Sequence, residues 1–148
     1  MKIKHILLTT DLSEESQRTF ADAVELAKTN GAKITLLNVV EDLQIAPHGA
    51  PLAPPLSDPE GPALVAAAEM ALAKQGELLS DDVEVTCRAI LGSSIGEAVA
   101  DYADEHACDI IVIATHGRTG FRRFVLGSIA DEVLRNAHVP VLCFPHAE

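Results

Sequence analysis

Along this chain, short continuous apolar runs alternate with segments whose apolar residues recur every three or four positions. Residues 3–10 form a compact apolar run closed by Asp11, and from Ser13 onward Phe20, Val24 and Ala27 fall on one helical face. The pattern predicts a strand and then a helix. Asn30-Gly31 is a helix C-cap signal, and residues 33–40 (KITLLNVV) read as a second strand. Such a near-continuous apolar run suits a parallel sheet covered on both faces.

The remainder repeats the alternation. Residues 63–79 are Ala-rich and predict a helix, and 83–90 (VEVTCRAI) alternate as a strand does. Ser94 with Glu97 forms a capping-box pattern that opens a helix carrying Ile95, Val99 and Tyr102 on one face. Residues 109–114 (DIIVIA) predict a fourth strand, 125–136 an amphipathic helix and 140–144 a last short strand. Between the second strand and the second helix, residues 43–62 contain Pro47, Pro51, Pro54, Pro55, Pro59 and Pro62 with Gly49 and Gly61, which rules out regular structure through most of the stretch. It reads as a long surface excursion, either a variable loop or a lid or partner contact.

The β-α order with right-handed crossovers predicts one α/β domain over residues 1–148: a doubly wound, mostly parallel five-stranded sheet, order 3-2-1-4-5, with helices on both faces. Composition agrees, at 48% hydrophobic but only 3% aromatic, so the core must be built from Ala, Val, Ile and Leu. A net charge of -11 argues against binding nucleic acid backbones or anionic membrane surfaces. Cys87, Cys108 and Cys143 are far apart and without C-x-x-C spacing, so they read as reduced core residues of a cytoplasmic protein. The opening residues lack a signal-peptide pattern, and no apolar stretch approaches the roughly 20 residues of a membrane span.

Ligands of open α/β sheets bind beyond the carboxyl ends of the strands, where strand order reverses. Those ends carry Thr9-Thr10-Asp11, Val39-Val40-Glu41, Leu91-Gly92-Ser93 and the turn from Thr115. The last is the richest, running Thr115-His116-Gly117-Arg118-Thr119-Gly120-Phe121-Arg122-Arg123-Phe124, with Gly127-Ser128 near the start of the following helix. Glycines there let N–H groups approach an anion, a helix N-terminus offers unpaired donors, and the Thr115 and Ser128 hydroxyls can add bonds to phosphate oxygens. Arg118, Arg122 and Arg123 make this stretch locally positive, and no acidic residue intervenes between Asp109 and Asp131. The same features also describe a solvated arginine loop capped by a serine. Asp11 either caps the first helix or accepts a bond from a base or ribose donor. His116 has no partners at ligand spacing, and P-loop, Rossmann and nucleophile-elbow signatures are absent.

Over nearly its whole length the chain resembles the universal stress protein family, through the first strand ending Thr10-Asp11, the second ending LLNVV, and the stretch ATHGRTGFRRFVLGSIADEVLRNAHVPVLCF. The G-x2-G-x9-G-[ST] pattern of that family's nucleotide-binding branch falls on Ala114, Gly117, Gly127 and Ser128, with alanine at the first position. The resemblance implies an ATP-binding stress-response or regulatory protein, with Mg²⁺ or Mn²⁺ carried by the phosphates. Asp11 and the backbone of Val39 would contact adenine; Ala114, Thr115 and Gly117 would line the ribose and phosphates; Gly127, Ser128 and Ile129 would hold phosphates. It also implies a homodimer through the last strand, with Val139 and Phe144 at its ends. The methyl of Ala114 predicts weakened rather than abolished binding. A nucleotide-free dimeric scaffold of the same fold is the competing function, and catalysis amounts to slow ATP hydrolysis at most.

Overall fold

A computed structural model describes residues 1–42, 60–115 and 126–145. The described elements are β1 (His5–Thr9), a 3-10 turn (Glu15–Thr19), α1 (Phe20–Asn30), β2 (Lys33–Glu41), α2 (Glu60–Gly76), β3 (Val85–Gly92), α3 (Ile95–Glu105), β4 (Ile110–Ala114), α4 (Ser128–Asn136) and β5 (Val141–Phe144). The five strands form one sheet in the order β3-β2-β1-β4-β5, and every neighbouring pair is parallel. This is the expected doubly wound α/β sheet.

The strands with a neighbour on each side carry the least exposed side chains. Leu7, Leu8, Leu36, Ile111 and Val112 have no accessible surface, and burying each stabilises the fold by about 1.5–3 kcal/mol. Alternation divides them between two cores. Ile6, Leu8, Ile34, Leu36 and Val112 pack with Phe20, Ala23 and Ala27 of α1 and Ala68 and Leu72 of α2. Leu7, Leu37, Ile111 and Ile113 pack with Val99, Tyr102 and Ala103 of α3 and Ala130 and Val133 of α4. Helices therefore cover both faces.

Element ends follow local chemistry, with some shifts from expectation. Gly31 takes a left-handed φ of 64° and donates its N–H to the last carbonyls of α1, as the Asn30-Gly31 signal predicts. The first helix is shorter than the pattern suggested, because residues 15–19 wind as a 3-10 turn before α1 begins. In contrast, α2 begins at Glu60 and takes in Pro62, which the proline-rich reading had assigned to the excursion. Pro62 lies in the first turn, where a missing N–H costs no intrahelical bond. The rest of that excursion, residues 43–59, lies outside the described residues, as does residue 125 at the expected start of α4.

At the amino ends of the strands every polar group of His5 is matched. Asp109 Oδ2 accepts the N–H groups of Lys4 (2.7 Å) and His5 (2.9 Å). The buried His5 ring meets the His106 carbonyl at Nδ1 (3.2 Å) and the Thr35 hydroxyl at Nε2 (2.8 Å). A carbonyl only accepts, so Nδ1 carries the proton and Nε2 receives the Thr35 hydroxyl, which is the neutral tautomer. Burial first, then the charge of Lys33, lowers the His5 pKa, against opposing contributions from His106's carbonyl and Asp109. Burial likewise pushes the neighbouring Cys108 thiol up to about 11, so it stays protonated, as a reduced core cysteine should.

Candidate functional site

At the opposite, carboxyl ends of the strands, β1 and β4 diverge above a cavity of about 440 Å³. Leu37, Val39, Ile95, Val99, Ile113 and Ala130 give it apolar walls, while Thr10, Asp11, Asn38, Thr115 and Ser128 place polar groups around them. That combination suits a flat apolar body with polar ends.

The β1 side of the cavity is built by an unusual turn. Leu12 adopts a left-handed φ of 68°, a costly conformation for a side chain branched beyond Cβ. Its N–H bonds to Thr10 Oγ1 (3.0 Å), while Asp11 Oδ1 accepts the Ser13 N–H (2.9 Å) and the Ser13 hydroxyl. Asp11 thus closes a local turn two residues ahead rather than capping a helix, the 3-10 turn being capped at Glu14 without a side-chain bond. Asp11 is itself part of the cavity lining.

The β2 side presents an unfinished ladder. Thr9 pairs with Leu37 as the last β1–β2 pair, and Thr10 N donates to Leu37 O (3.0 Å). The next rung would run from Val39 N to Thr10 O, but that carbonyl instead accepts Asn38 Nδ2 (2.9 Å). Ile34 N and Asp42 N donate to β3 carbonyls, so even-numbered residues of β2 face β3 and Val39 faces β1. Val39 therefore turns its N–H and C=O toward the crevice where β1 has already ended, with no backbone partner among the described residues.

Opposite lies the start of α4. The first intrahelical bond there is Asp131 N to Gly127 O (2.9 Å), and the N-cap residue Gly127 makes no side-chain cap bond. The N–H groups of Ser128, Ile129 and Ala130 precede that bond and are left without intrahelical acceptors, at the positive end of the helix dipole. All three residues line the cavity.

The sequence-predicted residues divide accordingly. Asp11, Val39, Ala114, Thr115, Gly127, Ser128 and Ile129 converge on this cavity, and Thr10 does too. Gly117 and Arg118 lie outside the described residues, with His116, Arg122 and Arg123. Three of these residues also bond within the chain. Thr10's hydroxyl donates to Gln75 Oε1 (2.7 Å) and accepts Leu12 N–H. Thr115's hydroxyl donates to Phe144 O (3.2 Å). Gly127's N–H is taken by Thr115 O (3.1 Å), and a Cβ at Gly127 would stand 2.3 Å from that oxygen. The absent side chain lets two backbone segments approach closely here. Ala114 is not among the described residues with positive φ, so its methyl sits at an ordinary strand end. Asn38 was missed, since an Asn inside an apolar strand run gives no sign of which main-chain group it will satisfy.

The profile of the universal stress protein family matches residues 2–145. This chain belongs to that family. Universal stress proteins of Methanocaldococcus jannaschii and Coxiella burnetii are each 31% identical to it, covering 94% and 96% of this chain and 80% and 96% of their own lengths. Among solved structures, the universal stress protein UspA from Lactobacillus plantarum has the same fold (TM-score 0.78, 24% identity, 97% of this chain and 99% of that one). So do a universal stress protein in complex with cAMP (0.66, 19%, 98% of both) and one from Archaeoglobus fulgidus in complex with dAMP (0.59, 19%, 97% and 98%). No helix among the described residues is long and apolar enough to cross a membrane.

Proposed function

We propose that this universal stress protein binds an adenine nucleotide in the cavity between β1, β2 and α4. The observation that carries the reading is the pairing of two backbone features across one apolar slot: the peptide edge of Val39 and the N-terminus of α4, neither with a partner for these groups among the described residues. Adenine presents an N6 donor beside an N1 acceptor, complementary to the carbonyl and N–H of Val39. The Leu37, Val99 and Ile113 side chains supply apolar surface for the base, Asp11's carboxylate can accept from a ribose hydroxyl or base amine, and the α4 donors suit phosphate. The relatives bound to cAMP and dAMP support the adenine class.

Within that class we assign ATP as the ligand, with Gly117 and Arg118 completing the phosphate site. Among the described residues no group of three or more His, Cys, Asp or Glu could hold a metal; Mg²⁺ or Mn²⁺ would be carried by the phosphates. The nucleotide would act as a regulatory signal in a cytoplasmic homodimer paired through residues 139–144. β5 is an outer strand with Leu142 39% exposed, and Leu134 of the adjacent α4 is 44% exposed, apolar surface that a second copy would cover.

Acid extraction of the purified protein followed by mass analysis should release an adenine nucleotide, and calorimetry should saturate with ATP and Mg²⁺. Absence of saturation by ATP, AMP and cAMP at millimolar concentration refutes the reading. ADP release should stay at trace levels.

A further inference from the structure

Two neighbouring helices, α3 and α4, line the cavity, and a side chain of α4 bonds to the first turn of α3. Glu132, on the second turn of α4, reaches the start of α3, where one carboxylate oxygen accepts the Ser94 hydroxyl and the other accepts the Gly96 N–H (3.1 Å). Ser94 Oγ in turn accepts the Glu97 N–H (3.3 Å). Ser94 is thus the N-cap that the capping-box pattern predicts, with Glu97 in the first turn, and a second carboxylate reaches the same helix start from another helix. Gly96 makes this possible: it is buried, and a Cβ on it would lie 2.6 Å from the Cβ, Cγ and Oε2 of Glu132.

Ile95 and Val99 on α3 line the cavity on one side, and Ser128, Ile129 and Ala130 on α4 on the other. We propose that Glu132 is a positioning residue for the nucleotide, a role that rests on the adenine-nucleotide reading above. Its carboxylate holds the two walls at one separation, so that base contacts from α3 and phosphate donors from α4 are in place before the ligand arrives. It also fills the α3 N-terminus with negative charge supplied by the chain. Of the two helix starts at this cavity, α4 is left as the one able to receive a phosphate, which fixes the direction in which the ligand lies.

The test compares wild type, Glu132→Ala, Glu132→Gln and Ser94→Ala in the full chain, by calorimetric titration with AMP at a temperature where all are folded. Glu132→Ala should weaken binding about tenfold and Ser94→Ala about threefold. Glu132→Gln should stay near wild type, because its amide can still accept from Gly96 N–H and donate to Ser94. Val83→Ala, which trims a buried side chain of the opposite core, should lower stability without changing affinity. In the ligand-free protein, amide exchange over residues 94–99 should quicken in Glu132→Ala and not in Glu132→Gln. Equal affinities in wild type and Glu132→Ala, failure of Gln to restore binding, or unchanged exchange would each overturn the proposal while leaving nucleotide binding intact. A wild type that takes up no AMP or ATP overturns it together with the reading beneath it.

Discussion

The two ends of β1 solve opposite problems with the same materials. At its amino end His5 is buried and both ring nitrogens have partners on other segments, Thr35 and the His106 carbonyl. At its carboxyl end the strand stops early, and Val39's peptide and three N–H groups of α4 lie at a cavity without intrachain partners among the described residues. Buried polar atoms are ordinarily matched, so a place where matching stops at one end of a sheet, and not at the other, points to something outside the chain. On the proposed reading, the closed end serves stability and the open end recognition.

That contrast can be broken most forcefully at Gly127. A valine there drives Cβ to within 2.3 Å of the Thr115 carbonyl oxygen, so α4 cannot start where it does; a loss of about 3 kcal/mol in stability, with loss of nucleotide binding, should appear in urea unfolding and titration. A loss of binding with stability untouched would mean that Gly127 serves the ligand directly. Next in size, His5→Ala should cost about 2–3 kcal/mol by stranding Thr35 and the His106 carbonyl beside a new void. Nucleotide affinity should be unchanged, because the two ends are separate; a parallel loss of affinity would show that they are coupled.

Acid should act on the closed end alone. His5's folded pKa lies below its ordinary value of 6.5, so as pH falls through about 6.5 the unfolded chain takes up the proton before the folded one does. His5's contribution to stability is therefore full above that pH and declines below it until the folded ring also titrates. His5→Gln should flatten this part of the curve of unfolding free energy against pH; a curve of the same slope would assign it to other groups. The smallest effect concerns Ala107, exposed at the end of α3 with φ 50°. Ala107→Gly should stabilise by about 0.5–1 kcal/mol in thermal unfolding and leave binding alone. Destabilisation would show that the alanine methyl contributes more than its strained backbone costs.

The architecture was legible because it rests on long-wavelength patterns. The run 33–40 and the run 109–114 could only be central strands, and the Gly31 cap and the order of elements followed. The cavity's location was legible for the same reason, since strand ends and strand order determine it. What stayed hidden were the contacts between segments far apart in sequence. Thr115 and Gly127 looked like two contributors to an anion site, but the chain folds them onto each other. The Ser94–Glu97 cap was legible, but nothing local showed that Glu132, on another helix, would bond to the same helix start. Asn38 sat in an apolar run, with nothing local to reveal that its amide would reach Thr10.

That last bond carries a consequence for how the crevice persists. A parallel ladder extends wherever two edges run side by side, and one more rung between Val39 and Thr10 would have sealed the slot with the chain's own peptide groups. Asn38 competes for the carbonyl that this rung requires and wins it with a side-chain amide. The entrance is thus bordered by a bond between side chain and main chain, and one substitution, Asn38→Leu, would leave the Thr10 carbonyl to the main chain or to water.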